Sequence, residues 1–463
     1  MRRFLGPFNM GVWGILRVVA DYAAYAHLGT TSTVFYKLPY HRGRGETKEA
    51  DNVKNVVFSY LALTSFIAGI GIALYAVLFR GKLMPEMFWG LLVVSVLLVC
   101  RRIFTYYVTL LRANKDFGVL GRSVIFDAVV NFAMVLLLVR SFGLAGLFAT
   151  VILMPVINVL FIRRFVDYDV KYRFNMKGLP GYIKFGFPLF ITGVLAMILQ
   201  SVDRIMIAKF LGLEALGFYS IALMARGYSV GLSRNFNVVI TPHFLEDYGR
   251  TGDMATASKY LKIPAELMST FMALLLGIVY IAAPPFVMHV LPGFTPGIMA
   301  LKLLLLATFF YTASPQSEHF LIALNKQTRL VPIMGSVIVL DVVLNFLFIR
   351  MGFGITGVAA ATAIASFAAF LITLIYAMAH IERIAGTLSF VFLVIAPLVY
   401  SVVVLMALEG LITPGGPFLG AAVRSVLFVL LFLPWIIRVD RRTAILTTAR
   451  DVIFRRTGKK EGV

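Results

Sequence analysis

Apolar residues run in long stretches along this chain, and polar residues gather in the short gaps between them. The stretches fall near 10–38, 53–79, 86–111, 116–139, 143–162, 180–208, 214–241, 258–283, 294–324, 328–349, 355–379, 387–408 and 418–437. Twenty apolar residues in a helix span a hydrocarbon layer of about 30 Å, whereas an open strand would leave backbone groups unpaired there. The pattern therefore predicts an all-α polytopic membrane protein with thirteen transmembrane helices.

The stretches also repeat. Phe4-Leu5-Gly6 followed by Gly11 returns as Phe210-Leu211-Gly212 followed by Gly217, a shift of 206 residues. Gly45-Glu46 and Ala50 return as Gly252-Asp253 and Ala257. Asn114-Lys115, Asp127, Asn131 and Phe142-Gly143-Leu144-Ala145-Gly146 return as Asn325-Lys326, Asp341, Asn345 and Phe353-Gly354-Ile355-Thr356-Gly357. Two similar halves of apolar helices are how many transporters build a central site between two moving bodies, so the expectation is two pseudo-symmetric bundles. The second copy has the stretch 181–209 ahead of Phe210, while the first has only Met1-Arg2-Arg3 ahead of Phe4. One helix of the first copy is expected to be missing, through a start assigned too late or a loss of the first span. Gly-Pro follows Arg2-Arg3 closely, which is not the continuous apolar stretch of a cleavable signal.

Composition agrees: 60% of the 463 residues are hydrophobic and 14% charged. The net charge of +21 would suggest nucleic acid were it not for where the cations lie. With the loop 42–54 on the cytoplasmic side, 26 Lys and Arg fall on that side and 7 on the other. That asymmetry sets a cytoplasmic-membrane orientation with the basic tail inside, and leaves no nucleic-acid partner to invoke.

Ten cations fall inside the stretches: Arg17, Lys37, Arg101, Arg102, Lys184, Arg204, Arg226, Arg234, Lys302 and Arg424. A charge near the bilayer centre costs from about 3 to more than 10 kcal/mol, so it normally faces a watery cavity or a partner. Arg17, Arg101, Arg226 and Arg234 lie well within their spans and are the cavity candidates. Lys37, Lys184, Arg204 and Arg424 read more simply as snorkelling or ion-paired side chains. Only six acidic residues share the interior, Asp21, Asp127, Asp203, Glu266, Glu318 and Asp341, so it favours an anionic cargo. Arg17 and Asp21 stand four apart on one helical face, where they can pair. Asp127 with Asn131, and Asp341 with Asn345, recur at one spacing in both halves and read as structural ties between helices.

The polar run Tyr311-Thr312-Ala313-Ser314-Pro315-Gln316-Ser317-Glu318-His319 interrupts an apolar stretch, and Pro315 weakens the helix there. Glu318 and His319 thereby become candidates for lining the site. With Asp21 they are also the candidates for coupling to a proton or sodium ion. Cys100 is the sole cysteine, so no disulfide forms within the chain. No metal-site spacing, phosphate loop or nucleophile elbow is present, and no cofactor is expected.

Gly181-Tyr182-Ile183-Lys184-Phe185-Gly186-Phe187-Pro188-Leu189, then Asp203-Arg204-Ile205-Met206-Ile207 and Phe210-Leu211-Gly212 with Leu216-Gly217-Phe218-Tyr219-Ser220, resembles the polysaccharide transporter family. That family holds the Wzx-type lipid-linked oligosaccharide flippases, within the MOP superfamily of MurJ and the MATE exporters. The resemblance covers essentially the whole chain and implies two six-helix lobes, the first lacking the initial helix of the usual fourteen. On that reading, 1–166 is the N-terminal lobe, 167–179 a cytoplasmic basic linker and 180–383 the C-terminal lobe. Residues 384–438 form two additional spans, and 439–463 a basic cytoplasmic tail. The resemblance further implies alternating access that flips a polyprenyl-pyrophosphate-linked oligosaccharide outward, with membrane lipids and a glycan polymerase or glycosyltransferases as partners. A MATE-like cation exporter and a membrane-embedded glycan polymerase or ligase remain alternatives, as does a non-transporting scaffold.

Overall fold

The structure, a computed structural model, describes residues 2–173, 178–251, 253–324, 326–410 and 416–443. Among the described residues there is no strand. The helices follow as α1 (Arg2–Ala24), α2 (Thr30–Gly43), α3 (Thr47–Leu78), α4 (Pro85–Ala113), α5 (Phe117–Met134), α6 (Arg140–Arg163), α7 (Leu179–Phe210) and α8 (Leu213–Thr251). They continue as α9 (Met254–Val290), α10 (Ile298–Ala313), α11 (Pro315–Ala323), α12 (Leu330–Arg350), α13 (Gly354–Met378), α14 (Ile384–Glu409) and α15 (Pro417–Thr443). All thirteen apolar stretches are helical, and nine segments among the described residues are long and apolar enough to cross a membrane. The side-chain distribution is inverted relative to a water-soluble protein. Leu78 and Ile384 are 77% and 79% exposed, whereas Ser59, Asn158 and Thr308 are buried. Apolar surface on that scale needs lipid as its solvent.

The chain divides into two compact units, Met1–Phe218 and Tyr219–Val463. In the first, α3 packs on α2 and α4 through Val34, Leu38, Val53, Val57, Leu61 and Leu110. A neighbouring cluster of Leu16, Val94, Leu98 and Phe148 joins α1, α4 and α6. Helix α7 lies against α1 and α2 and groups with this unit. The chain leaving α6 is held against α3. Lys54 Nζ donates to the Tyr168 carbonyl at 2.9 Å, and the N–H groups of Lys171 and Arg173 donate to Asn55 Oδ1 at 2.9 Å and Ser59 Oγ at 2.6 Å. In the second unit, α9 contacts α10, α14 and α15, and α13 contacts α10 and α12. Its core gathers Leu261, Phe320, Phe370, Leu374 and Val394.

The repeat shows in the backbone. Gly6 and its equivalent Gly212 have φ of 72° and 93°, and Gly143 and Gly354 both have 56°. Side chains other than glycine rarely tolerate those angles. At Gly143 the consequence is large, because residues 117–163 unbroken would make a 47-residue helix of about 70 Å. The break turns α6 back onto the end of α5, and Gly146 rests on the Leu138 backbone with no room for a Cβ. Where α1 meets the start of α8, Gly11 lies on the backbone of Leu213 and Gly217 on that of Pro7. The 206-residue shift relates Gly11 to Gly217 and Pro7 to Leu213. The contact is therefore reciprocal, as self-complementary interfaces are.

One expected span is corrected. The stretch 10–38 is two helices, parted by a 3₁₀ turn at Tyr25–His27 and by Leu28 and Gly29 at φ of 48° and 83°. Thr30 Oγ1 donates to the His27 carbonyl at 2.9 Å, and Ser32 N–H to the Gly29 carbonyl at 3.0 Å, starting α2 afresh. Gly29 and Gly186 touch backbone to backbone, so neither has space for a side chain. This close approach of α2 and α7 is what the break accommodates. The stretch 294–324 also breaks, between α10 and α11, where Pro315 supplies no N–H.

Candidate functional site

Each unit contains a cationic cluster. In the first, the four-residue spacing puts Arg17 and Asp21 on one face of α1, and α4 brings Arg101 to the same carboxylate. Arg101 Nη1 lies 2.9 Å from Asp21 Oδ1, and Arg17 Nε 3.9 Å from Asp21 Oδ2. The side chains are 43% (Arg101), 59% (Arg17) and 30% (Asp21) exposed, so the group faces open space rather than core. Two guanidinium groups share one carboxylate there. The unshared donors can accept a further anion, and the planar fork of arginine suits phosphate oxygens in pairs.

Arg102 points elsewhere. It is buried, its Nε donates to Ser65 Oγ at 3.1 Å, and its Nη2 donates to the carbonyl of Ala24. Ala24 ends α1, so this guanidinium satisfies a carbonyl that the helix break frees. The sequence counts Arg102 among the intramembrane cations without assigning it a role; the signal would have been a break at 25–29, which no proline marks. His27 belongs to the same turn, its Nδ1 accepting from the Gly29 N–H at 2.8 Å. Two tyrosines tie α1 and the turn to α7: Tyr22 bonds Ser201 Oγ at 2.8 Å and Tyr25 donates to the Gly193 carbonyl at 3.1 Å.

In the second unit, α8 carries Arg226 and Arg234, and the α10–α11 break carries Tyr311, Glu318 and His319. Arg226 is buried, with its guanidinium carbon 5.0 Å from the centre of the Tyr311 ring. A cation over an aromatic face is attracted by about 0.5–2 kcal/mol, more as water is removed. Arg226, Arg234 and Glu318 all lie within electrostatic range of Tyr311. Ser233 Oγ, one residue before Arg234, donates to the Thr312 carbonyl at 3.4 Å and fastens α8 to the break. Arg234 is exposed and Glu318 partly buried. His319 follows Glu318 on α11, and among the described residues no hydrogen bond or ion pair joins it to the cluster. Tyr311 itself is the residue that sequence reasoning passed over; its place in the interrupting polar run was the available signal.

The repeated Asp–Asn pairs lie on α5 and α12. Asn158 Nδ2 on α6 donates to Asp127 Oδ1 on α5 at 2.5 Å, bridging two helices, while Asn131 is partly buried. Asp341 and Asn345 are buried on α12, which packs on α13, and both are engaged. Among the described residues no three His, Cys, Asp or Glu side chains group as a metal site would require.

The family described as Polysaccharide biosynthesis protein matches residues 1–291. No curated protein matches the chain. Among solved structures, an inward-facing multidrug resistance MATE family transporter of the MOP superfamily superposes with a TM-score of 0.67 at 16% identity, covering 83% of this chain and 92% of its own. Lipid II flippase MurJ, in an inward closed conformation, gives 0.66 at 17% identity over 93% of this chain and 97% of its own. A MOP superfamily transporter from Pyrococcus furiosus, described by the reverse polarity of its binding pocket, gives 0.56 at 16% identity over 81% and 87%. At these identities the likeness is one of fold.

Proposed function

Since the chain belongs to the polysaccharide biosynthesis protein family and has the fold of MOP-superfamily transporters, we propose that it flips a polyprenyl-pyrophosphate-linked oligosaccharide. The direction is from the cytoplasmic to the outer leaflet of the cell membrane, and the mechanism is alternating access. The observation that carries this reading is the surplus of arginine over carboxylate among the described residues of both clusters. Arg17 and Arg101 share Asp21, and Arg226 and Arg234 accompany Glu318 at Tyr311. A carrier of cationic drugs needs the opposite surplus. The arginines of either cluster bind the pyrophosphate or an acidic sugar, while the lipid tail stays in the hydrocarbon layer. No bond in the cargo is made or broken, so the chain acts as a transporter and not as a polymerase or ligase.

With an inside-negative potential, each net negative charge moved outward gains about 2.3 kcal/mol per 100 mV. The head group is then driven in the proposed direction without a partner ion. Asp21, Glu318 and His319 are the titratable groups to which proton or sodium coupling would be assigned. Glycosyltransferases that build the oligosaccharide and a polymerase that consumes it are the partners this role requires.

The test is cargo choice in proteoliposomes. A labelled polyprenyl-pyrophosphate oligosaccharide should cross in a protein-dependent manner while a cationic dye stays behind. Dye transport with a stationary lipid would hand the function to the multidrug-exporter reading, which the MATE-like fold supports equally well.

A further inference from the structure

The outer ends of α9, α10, α14 and α15, on the side opposite the basic loops, enclose polar chemistry that transport leaves unused. Two adjoining cavities of about 260 and 220 Å³ share Tyr280, Lys302, Leu405 and Glu409. Tyr280 Oη donates to Glu409 Oε1 at 3.0 Å, and Lys302 Nζ lies 3.3 Å from the same oxygen. The Lys302 ammonium also stands 4.2 Å from the centre of the Tyr280 ring. Arg424 on α15 lines the larger cavity, and among the described residues its Nε is enclosed without a hydrogen-bond acceptor. An enclosed charged donor with no acceptor costs more than an ordinary unmade hydrogen bond. Lys302 and Arg424 face one carboxylate, so the pocket holds one positive charge in excess.

The two cavities differ in character. The larger is flanked by Pro284, Pro285 and Met288 beside the charges, whereas the smaller runs between Leu276, Leu303, Leu306, Leu398 and Val402. Met299 and Met406 line the smaller one and are 54% and 68% exposed, so it opens onto lipid-facing surface. Its volume matches about seven water molecules of liquid, enough for part of one chain and not for a whole lipid. Beside the smaller cavity α9 packs closely on α15, where Gly277 faces the Phe428 ring without room for a Cβ.

We infer that this pocket binds a phospholipid with a singly anionic phosphodiester head group, taken from the outer leaflet. The phosphate pairs with the Arg424 guanidinium where it lines the larger cavity and neutralises the excess charge. One acyl chain enters the apolar cavity and continues over Met299 and Met406. The site lies outside both arginine clusters and does not depend on the transport reading.

The experiment uses the full chain, delipidated in neutral detergent, with native mass spectrometry and thermal unfolding as readouts. Phosphatidylglycerol should be retained at least tenfold better than phosphatidylcholine and should raise the unfolding midpoint. Inorganic phosphate alone should do neither. Arg424→Gln should remove the preference, and Val402→Trp in the chain cavity should lower the retention of phosphatidylglycerol. Equal retention of the two lipids by the unaltered protein overturns the inference, as does a preference that survives Arg424→Gln. Stabilisation by inorganic phosphate alone overturns the lipid as ligand. The comparison of two lipids on the unaltered protein decides the matter even where a variant fails to fold.

Discussion

Arg101 and Arg102 are sequence neighbours with opposite duties, because consecutive helical positions point about 100° apart. Arg101 reaches the open carboxylate of Asp21, and Arg102 reaches the buried carbonyl of Ala24. Arg102→Ala should therefore destabilise the fold by about 2 kcal/mol, seen as a lowered unfolding midpoint. Arg101→Ala should leave that midpoint nearly unchanged. Asp21→Asn removes a partly exposed pair of about 1 kcal/mol or less and frees both arginines. Affinity for a soluble prenyl pyrophosphate should rise several-fold, measured by equilibrium binding. Charge and position in the sequence made Arg101 and Asp21 candidates, and the structure pairs them. The sequence could not identify what Arg102 does, because the acceptor exists only once the helix breaks. Outside the membrane, Asp253 caps α9, accepting from the N–H groups of Ala255 and Thr256 at 3.1 and 3.2 Å. Those bonds hold its carboxyl below the usual carboxylate range. A depressed value contributes stability above the unfolded-state value, near 4, and loses it as pH falls through the folded one. The midpoint difference between wild type and Asp253→Ala should shrink on acidification from pH 7 to 3.

At the scale of elements, glycines carry the pattern that the repeat announces. Phe-Leu-Gly and Phe-Gly-x-x-Gly recur because the turns at Gly6, Gly212, Gly143 and Gly354 all need left-handed backbone. The reciprocal seating of Gly11 on Leu213 and Gly217 on Pro7 adds a steric demand at the same repeat. Gly217→Ala should force α1 and α8 apart and cost about 1–3 kcal/mol, read as a loss of folded protein or a lowered midpoint. Gly71→Ala, where a Cβ meets open space, is the control and should cost nothing measurable. The apolar stretches were legible because length and composition alone decide them. The division of 10–38 was not, since Leu28 adopts a left-handed conformation that its side chain does not advertise. Pro315 did announce the break between α10 and α11.

For the whole molecule, membrane residence and the repeat were readable from composition and order, whereas contacts assigned α7 to the first unit, which the repeat does not reveal. Cargo polarity depends on how many arginines answer each carboxylate, a quantity that sequence counts approximate and the two clusters make local. Export of an anion predicts a rate that rises with inside-negative potential, testable by imposing a potassium diffusion potential across proteoliposomes. A rate indifferent to potential would indicate that a compensating cation travels too. The most direct measurement is the initial rate of polyprenyl-pyrophosphate oligosaccharide translocation by Arg101→Ala and Arg226→Ala beside the wild type, with unfolding midpoints recorded in parallel. The cationic-site account predicts a loss of tenfold or more in each variant with folding retained. Wild-type rates in both folded variants would contradict it.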